Sequence, residues 1–441
     1  MSVENNIPEH WQIVKLKSIT ENIQYGYTES SSKENIGPKF LRITDIQDNK
    51  VEWNDVPFCK IDNEIKSKYL LKDGDLVFAR TGATVGKSFL IKGAIPEAVF
   101  ASYLIRVRVN LKIDEKYLSY FFQSPNYWNQ ITEGQVGIGQ PNVNGTKLGQ
   151  LNITIAPLEE QLAIVSKIEE LLSDLENGKQ QLLTAQQHLK VYRQSLLKAA
   201  FEGKLSLNCD SFDLCDKDDF KKEALNHNNQ NTHTNQGSDN LPKGWRWVKL
   251  GDVCLNVEYG SSTKSKKEGK TPVLRMGNIQ KGIFDWTDLV YSDDDIEISK
   301  YLLKKNDVLF NRTNSAELVG KTAIYKGERP AIFAGYLIRI NRIESMIDAN
   351  YLTYYLNTLA AKQYGNSIRS FGVNQSNING TKLKTYPIPL PTLVEQQQIV
   401  DALESKLTVC DKIEETIKEA LLKSESLRQS ILKKAFEGKL V

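Results

Sequence analysis

The feature that most constrains the fold of this chain is an internal repeat, because the same ordered set of motifs occurs twice along its 441 residues. The motifs include YLLK with a following DLVFART or DVLFNRT run, FASYLIR or FAGYLIR, NGTKL and FEGKL. A repeat that keeps its order over this length predicts two copies of one structural plan. The matched segments begin at Ile7 and Leu241, Tyr69 and Tyr301, Phe100 and Phe333, Asn144 and Asn379, and Arg193 and Arg428.

Each copy opens with a stretch that is typical of a mixed domain of strands and helices. Short runs of β-branched and aromatic residues stand between Gly, Asn and Asp, a pattern of short strands joined by turns. EKYLSYFFQS from Glu115 and ANYLTYYLNT from Ala349 have the pattern of short helices. The predicted fold class is therefore α+β, with two similar domains over residues 1–156 and 241–391.

Each copy closes with a long helix, predicted over residues 157–205 and 392–441. Pro157 and Pro391 lie at the predicted starts, where a missing N–H costs least. Apolar residues then recur at heptad spacing, which favours a coiled coil between the two helices over the alternative that each packs on its own domain. The residues predicted for helix pairing or partner docking are Ile164, Ile168, Leu171, Leu175, Leu182, Leu189, Leu196, Ile399, Leu403, Ile413, Ile417, Leu427 and Ile431.

Composition argues against several classes of protein. Hydrophobic residues at 40% and charged residues at 25% are ordinary for globular proteins, and no apolar run reaches the roughly 18–20 residues of a membrane span. The first residues do not resemble an export signal, and five cysteines without a CxxC pair favour reduced thiols, so we expect a cytoplasmic protein. Residues 206–240 are polar and are predicted to form a flexible linker, in which the histidines and cysteines fit no zinc-ligand spacing.

The sequence offers no convincing catalytic or metal site. GATVGKS from Gly82 has three residues between its glycines where a phosphate-binding loop needs four, and it is predicted to lead into a strand. DNEIK from Asp62 could hold a metal in a nuclease. The second copy has Ser299 in place of the lysine, so a solvated acidic loop is favoured, and the enzyme alternative depends on this group alone.

The remaining polar features are typical of nucleic-acid binding, although a net charge of +3 does not predict it. SSTKSKKEGK from Ser261 carries four lysines, and amide-rich loops precede both NGTKL segments. The alternatives are a solvated face for the charge run, and turns and helix caps for the Asn and Gly residues. The candidate DNA-binding residues are Lys33, Arg80, Thr81, Lys87, Gln135, Gln140, Asn142, Lys147, Lys264, Lys266, Lys267, Arg312, Thr313, Asn314, Lys321, Arg369, Asn374, Gln375 and Lys382.

The ordered motifs LPxGWxxxKLGD, LxR, FxRT…VGK, NGTKL, an EQ-x-x-IV helix entry and FEGKL, present twice, resemble the specificity subunit of type I restriction-modification systems. The resemblance covers nearly the whole chain apart from the linker. Ile7 and His10 depart from it, since they replace the usual Leu and Gly at the first domain's start.

This resemblance implies a non-catalytic subunit of a methyltransferase/endonuclease complex. Each domain would be a target recognition domain that reads half of a bipartite site in double-stranded DNA. The two helices would pair as an antiparallel coiled coil and dock two methyltransferase subunits, and restriction (translocase) subunits would join for cleavage. S-adenosylmethionine, ATP and magnesium would bind to those partners, so no cofactor is expected in this chain.

Two further alternatives remain open at this point: a modification-only system, and a non-catalytic coiled-coil adaptor that binds protein partners. A helix of about 49 residues would be roughly 70 Å long, and we hypothesise that this length sets the spacing between the half-sites. Residues that both copies share are predicted to be scaffold. Residues 29–35 against 261–270, and 131–139 against 368–372, are predicted to carry sequence choice.

Overall fold

The computed structural model describes residues 7–47, 49–82, 84–110, 112–133, 143–205, 241–371 and 375–441. The chain divides into two compact units, one formed by residues 1–184 with 417–441 and the other by residues 185–416. We refer to residues 7–156 as module 1, which lies in the first unit, and to residues 241–391 as module 2, which lies in the second. Each unit also contains one piece of each long helix.

Module 1 is a mixed domain of strands and short helices, followed by a long helix. Its elements are β1 (Gln12–Lys15), β2 (Thr20–Tyr25), β3 (Lys39–Leu41), β4 (Ile46–Gln47), β5 (Lys50–Val51), α1 (Asn63–Tyr69), β6 (Leu76–Ala79), β7 (Ser88–Leu90), β8 (Ala98–Phe100), β9 (Leu104–Val109), α2 (Glu115–Phe121), α3 (Pro125–Glu133), α4 (Gly145–Gly149), β10 (Asn152–Ile155) and α5 (Leu158–Phe201). The central antiparallel sheet has the order β2-β9-β6-β7. Strand β6 reads LVFA and is buried throughout, as expected for an interior strand.

Module 2 repeats this plan. Its elements are β11 (Arg246–Lys249), β12 (Cys254–Tyr259), β13 (Thr271–Leu274), β14 (Ile279–Gln280), β15 (Ile283–Phe284), β16 (Val290–Ser292), α6 (Asp295–Tyr301), β17 (Val308–Asn311), β18 (Thr313–Asn314), β19 (Thr322–Ile324), β20 (Ile332–Phe333), β21 (Leu337–Arg342), α7 (Ala349–Leu356), α8 (Leu359–Ile368), β22 (Ser370–Phe371), β23 (Ser376–Asn377), α9 (Gly380–Leu383), β24 (Pro387–Leu390) and the long α10 (Leu393–Phe436). Its central sheet, β12-β21-β17-β19, matches that of module 1 strand for strand. The predicted α+β class and the predicted helices at Glu115 and Ala349 are therefore confirmed.

The central sheet of each module contains a buried arginine. Arg106 in β9 is 1% exposed, and its guanidinium donates to the carbonyl of Leu70 over 2.8 Å. Arg339 in β21 is 9% exposed and donates to the carbonyl of Leu302 over 3.0 Å. Both acceptors belong to the repeated YLLK segment, so each arginine fixes that segment against the sheet.

The two long helices are shorter than predicted, with 44 residues each instead of the full ranges 157–205 and 392–441. At 1.5 Å per residue their length is about 66 Å. Each ends just before the Gly of FEGKL, and Gly203 and Gly438 have φ angles of 71° and 68°. Glycine is favoured there because it tolerates the left-handed conformation that terminates a helix.

Within each unit the pieces of the two helices run antiparallel. In the first unit, Ile164 and Ile168 near the start of α5 share a core with Leu432 and Phe436 at the end of α10. In the second unit the end of α5 shares a core with the start of α10, and Arg193 forms ion pairs farther along with Asp411 (2.7 Å) and Glu414 (3.1 Å). Helix pairing, which the heptad spacing predicts, is thus confirmed within each unit.

Two residues that were predicted to pair the helices, Ile413 and Leu427, are instead exposed. Leu403, Cys410, Ile417 and Ile431 follow one another at multiples of seven residues and are buried, but Ile413 is 44% exposed and Leu427 is 52% exposed. The inward positions next to them are taken by charged residues, Glu414 and Arg428, which are partly buried. Glu414 pairs with Arg193, and Arg428 donates to Gln123 over 2.6 Å, so polar contacts rather than apolar ones decide which face turns inward.

The other predicted pairing residues are buried or half-buried. Those with an exposure below a tenth are Ile164, Ile168, Leu189, Leu196, Ile399, Leu403, Ile417 and Ile431. Those that are half-buried are Leu171, Leu175 and Leu182, near the middle of α5.

The EQ pair at each helix entry joins the helix to its module. Gln161 is 1% exposed; its side chain accepts from the backbone N–H of Asp114 over 3.0 Å and donates to the carbonyl of Ala156 over 2.8 Å. Gln396 makes the corresponding bond to the N–H of Asp348 over 2.8 Å. Because both amide ends are used, the glutamine fixes the angle at which the helix leaves the module.

No helix in the described ranges is both long enough and apolar enough to cross a membrane.

Candidate nucleic-acid interface

One end of the central sheet of module 1 brings together Tyr25, Arg80 and Tyr103. Tyr25 is the last residue of β2, Arg80 follows β6, and Tyr103 precedes β9. Because β9 lies between β2 and β6, and Tyr25 is opposite Ile105 in the register, the three residues lie at the same end of the sheet. The backbone N–H of Arg80 donates to the carbonyl of Tyr103 over 2.9 Å.

The side chain of Arg80 stacks on an aromatic ring. Its guanidinium carbon lies 5.0 Å from the centroid of the Tyr25 ring, within the range of a cation–π contact. Its Nε is buried and has no hydrogen-bond partner. Arg80 as a whole is only partly buried, and a guanidinium held against a ring is positioned to donate to a ligand through its terminal nitrogens.

Module 2 repeats this arrangement with Tyr259, Arg312 and Tyr336. The guanidinium carbon of Arg312 lies 4.9 Å from the ring centroid of Tyr259, and its backbone N–H donates to Tyr336 over 3.0 Å. The Nε of Arg312 is again buried without a partner, while one terminal nitrogen donates to the carbonyl of Gly335 over 3.1 Å.

The Asn of each NGTKL motif is a helix cap. The side-chain oxygen of Asn144 accepts from the backbone N–H of Lys147 over 2.8 Å, and that of Asn379 accepts from the N–H of Lys382 over 2.9 Å. These bonds close the first turns of α4 and α9. The alternative that such residues serve as caps is therefore correct for both asparagines.

The Gly of each NGTKL motif holds the stacked tyrosine. The backbone N–H of Gly145 donates to the hydroxyl of Tyr25 over 2.9 Å, and the N–H of Gly380 donates to the hydroxyl of Tyr259 over 2.7 Å. A Cβ at Gly380 would lie 2.8 Å from a methyl carbon of Val257 and 3.2 Å from the Tyr259 hydroxyl, so this close approach requires glycine.

An open depression of about 480 Å³ lies beside Tyr103 in module 1. Hydrogen bonds from the backbone and side chain of Ser30 lower the pKa of Glu29, which keeps this lining residue anionic. Arg42, on the same lining, is held by Asp45 through contacts of 2.7 and 3.1 Å. Carboxylate acceptors and guanidinium donors are the groups that read base edges.

The other predicted residues of module 1 lie on its surface or outside the described residues. Thr81 is half-buried and lines the depression, whereas Lys33, Lys87 and Lys147 are exposed. Outside the described residues are Gln135, Gln140 and Asn142.

The lysine-rich loop of module 2 is partly neutralised by the acidic run that follows β16. Lys266 pairs with Asp293 over 2.9 Å and Lys270 with Asp295 over 3.2 Å. The hydrogen bond from Lys266 and the backbone bond from Lys270 lower the pKa of Asp293. Lys264 and Lys267 are exposed, and neither forms an ion pair with another described residue.

Several predicted residues of module 2 have structural contacts. Thr313 is buried, and its hydroxyl accepts from the side-chain amide of Asn377 over 3.1 Å. Arg369 donates to the carbonyl of Ala316 over 3.2 Å. These contacts join β18, β23 and the end of α8, so they contribute to the shape of the surface.

The remaining predicted residues of module 2 differ in accessibility. The side-chain oxygen of Asn314 accepts from the N–H of Ser315, and Lys382 donates to the hydroxyl of Ser370 over 2.8 Å. Lys321 is half-buried and Gln375 is exposed, whereas Asn374 lies outside the described residues.

Sequence reasoning missed five residues near these groups. One is Lys362 in α8, whose pKa is lowered by burial and then by the charge of Lys321. The others are the four tyrosines already described, Tyr25, Tyr103, Tyr259 and Tyr336. They lie in matched segments of the two copies, and this coincidence was the signal available in the sequence.

The two motifs considered for catalysis have other roles. Most of DNEIK lies in α1 and the matching DDDIEIS run leads into α6, so the predicted acidic loop is wrong for both segments; a helix forms instead. Lys66 of this group pairs with Glu97 over 3.1 Å. No cluster of three or more His, Cys, Asp or Glu residues suited to a metal occurs among the described residues. GATVGKS leads into β7, as predicted.

The chain is similar in sequence and fold to known specificity subunits. The chain is 28% identical to the StySPI specificity subunit of Salmonella potsdam and 26% identical to the EcoKI specificity subunit of Escherichia coli K12, in both cases over 98% of this chain and 90% of the relative. A chain from a study of complex assembly and conformational transition of the type I R-M system has the same fold, with a TM-score of 0.72, 22% identity and coverage of 98% of this chain and 99% of that one. The HsdS subunit from Thermoanaerobacter tengcongensis also matches, with a TM-score of 0.60, 21% identity and 99% of both chains covered.

The family model for the type I restriction modification DNA specificity domain matches residues 8–185 and again residues 242–423. Each match contains one module, including the two tyrosines and the arginine at the end of its central sheet. It also contains the start of the long helix that follows the module. The chain therefore belongs to the type I restriction modification DNA specificity family and carries two copies of its domain.

Proposed function

We propose that this chain is the specificity subunit of a type I restriction-modification system and reads a bipartite site in double-stranded DNA. The observation that carries the proposal is the presence of two DNA specificity domains in one chain, each with the same stacked arginine and with different neighbouring loops. Two similar DNA-binding modules held apart by paired helices would fit two DNA half-sites at a defined separation.

Sequence choice is assigned to the exposed residues that the modules do not share. In module 1 these include Glu29 and Lys33, and in module 2 they include Lys264 and Lys267. Carboxylate and ammonium groups differ in the base edges that they can contact in the major groove. The family match favours this reading over a protein-binding adaptor.

The partners in this proposal are two methyltransferase subunits, with restriction subunits that join for cleavage. The chain's role is non-catalytic; S-adenosylmethionine, ATP and magnesium are assigned to the partner subunits, and the complex acts in the cytoplasm. The exposed apolar side chains of α10, among them Val409, Ile413 and Leu422, support a partner surface on this helix. The paired helices, about 66 Å long each, are proposed to set the spacer between half-sites.

The proposal is tested by mapping methylated bases in cells that carry the neighbouring methyltransferase, with and without this chain. We expect a bipartite methylated motif with the chain and its loss without it. Methylation that is the same in both strains would contradict the proposal. An intact chain with Leu255→Ala, which alters a side chain 75% exposed, is the matched control for expression.

A further inference from the structure

The exposed tyrosines of this molecule form two equivalent pairs. The chain has 18 tyrosines, and those that are exposed among the described residues are Tyr25 (41%), Tyr103 (64%), Tyr259 (41%) and Tyr336 (51%). Tyr25 corresponds to Tyr259 and Tyr103 to Tyr336 in the repeat. The hydroxyls of Tyr25 and Tyr259 are bonded to Gly145 and Gly380, whereas packing gives no reason for a large ring to stay exposed at both Tyr103 and Tyr336.

An arginine contacts both members of each pair, one through its side chain and the other through its backbone. Arg80 and Arg312 stack on the first tyrosine and are bonded through their backbone N–H to the second. Both arginines are partly buried. Each module therefore has, at the same end of its sheet, a guanidinium stacked on one exposed tyrosine and a second exposed tyrosine joined to the same arginine through the backbone.

The partner of this group must be a feature that both half-sites present. The loops beside it differ between the modules, so a base edge recognised through those loops differs too. The sugar–phosphate backbone is the part of DNA that does not change with sequence, and guanidinium and phenol groups are common donors to its phosphates. The exposed rings of Tyr103 and Tyr336 offer contact area for the sugar.

We propose that Tyr103 with Arg80, and Tyr336 with Arg312, are equivalent backbone clamps that hold the same phosphate–sugar position in each half-site and fix the register of its reading without choosing its sequence. The proposal rests on the proposed function, since it assigns a role within DNA binding. Tyr25 and Tyr259 are positioning residues in it: their hydroxyls are held by Gly145 and Gly380, and their rings orient the guanidinium.

The test uses the complete chain assembled with its methyltransferase subunits. The probes are a duplex that carries the bipartite motif found by methylation mapping and the same duplex with both half-sites scrambled. Tyr103→Ala and Tyr336→Ala are measured separately, and Leu255→Ala serves as the control. Because all three side chains are exposed, we expect each variant to fold, which its thermal melting curve checks.

We expect each tyrosine variant to weaken binding by about tenfold on both probes, so that the ratio of the two affinities is unchanged. The two variants should lose similar amounts because the clamps are equivalent. Arg80→Gln and Arg312→Gln should each lower the slope of log affinity against log salt by about 0.9, the contribution of one phosphate contact. Leu255→Ala should bind as the unchanged chain does.

Two results would overturn the clamp: unchanged binding by both tyrosine variants, or a loss confined to the motif duplex, which would make these residues base readers. Failure of the proposed function has a different signature. In that case the unchanged chain itself would bind the motif and scrambled duplexes equally well.

Discussion

The loop after Tyr25 in module 1 and the loop after Tyr259 in module 2 leave equivalent sheets and make the same backbone bridge, yet their side chains differ. Ser32 exchanges two backbone hydrogen bonds with Phe58, and Lys266 exchanges the same two with Tyr291. The side chain of Lys266 adds an ion pair with Asp293. The repeat thus preserves the path of the chain and leaves the chemistry of the loop free to vary.

The buried parts of the modules also differ at one position. Arg106 has Asp75 as its carboxylate neighbour, at 3.9 Å, and the amide of Gln24 as a further partner. Arg339 has two carboxylates, Glu258 and Asp307. A shared residue can therefore depend on partners that are not shared, and single substitutions should separate the two modules.

The largest expected effect comes from removing the Phe of FEGKL. Phe436 lies 5.1 Å from the ring centroid of Tyr117, and Phe201 lies 5.0 Å from that of Tyr351. We expect Phe436→Ala and Phe201→Ala each to lower the free energy of unfolding by about 3–5 kcal/mol, measured by urea denaturation. Leu422→Ala, at a side chain 65% exposed, is the control and should change it by less than about 0.5 kcal/mol. A large loss in one variant alone would break the equivalence of the two helix ends.

A smaller and unequal effect is expected from the buried arginines. Asp75→Asn removes the carboxylate that pairs with Arg108 over 2.6 Å and lies 3.9 Å from Arg106, and we expect a loss of about 3 kcal/mol in the free energy of unfolding. Asp307→Asn leaves Arg339 paired with Glu258, so we expect about 1 kcal/mol. Equal losses in the two variants would contradict this difference in pairing, in which Asp75 serves two arginines and Arg339 has two carboxylates. Asp307→Asn combined with Glu258→Gln should restore the larger loss.

A smaller difference in stability is expected when the glycines of the two NGTKL motifs, Gly145 and Gly380, are replaced. A Cβ at Gly380 would lie 2.8 Å from its nearest neighbour, against 3.3 Å at Gly145. We expect Gly380→Ala to cost about 1–2 kcal/mol and to displace Tyr259, and Gly145→Ala to cost less than about 1 kcal/mol. Thermal melting measures the loss of stability in both variants. DNA binding by the assembled complex measures the displacement of Tyr259. The reverse order would contradict the tighter packing in module 2.

The smallest effect is expected for the acidic run of module 2. Asp293→Asn releases Lys266 and removes a negative charge beside the lysine-rich loop. We expect DNA affinity at low salt to rise about two- to fivefold and the gain to vanish at high salt, because exposed charges are screened. Ser32→Ala in module 1 is the matched control, since no described ion pair is lost there. A gain that persists at high salt would point to a direct base contact.

Much of this architecture could be predicted because the repeat provided an internal comparison. Motifs present twice indicated the two modules, and heptad spacing indicated the paired helices. Spacing alone could not decide between Ile413 and Glu414, because the inward position depends on Arg193, which lies far away in the sequence. The same limit applies to DNEIK, whose acidic composition predicts a loop, although the segment forms most of the first turns of α1 and this helix packs against β8.

The site was predicted less completely than the fold. The repeated position of Arg80 and Arg312 made them candidates, but sequence reasoning missed the exposed tyrosines that contact them because aromatic residues in strand-like segments are usually buried. Lys266 was predicted to face DNA, and its pairing with Asp293 depends on a loop 27 residues away in the sequence. Contacts of this kind depend on the tertiary fold and are not visible in the local sequence.

The most direct test of the account exchanges one loop between the modules. Residues 29–35 are replaced by residues 263–269, which keeps Lys266 at the bridging position of Ser32, and methylated bases are mapped in cells that carry the neighbouring methyltransferase, after co-purification confirms that the complex assembles. We predict that one half of the bipartite motif changes while the other half and the spacer stay the same. Retention of both original half-sites by the assembled complex would contradict the claim that each module reads one half-site through the loops it does not share.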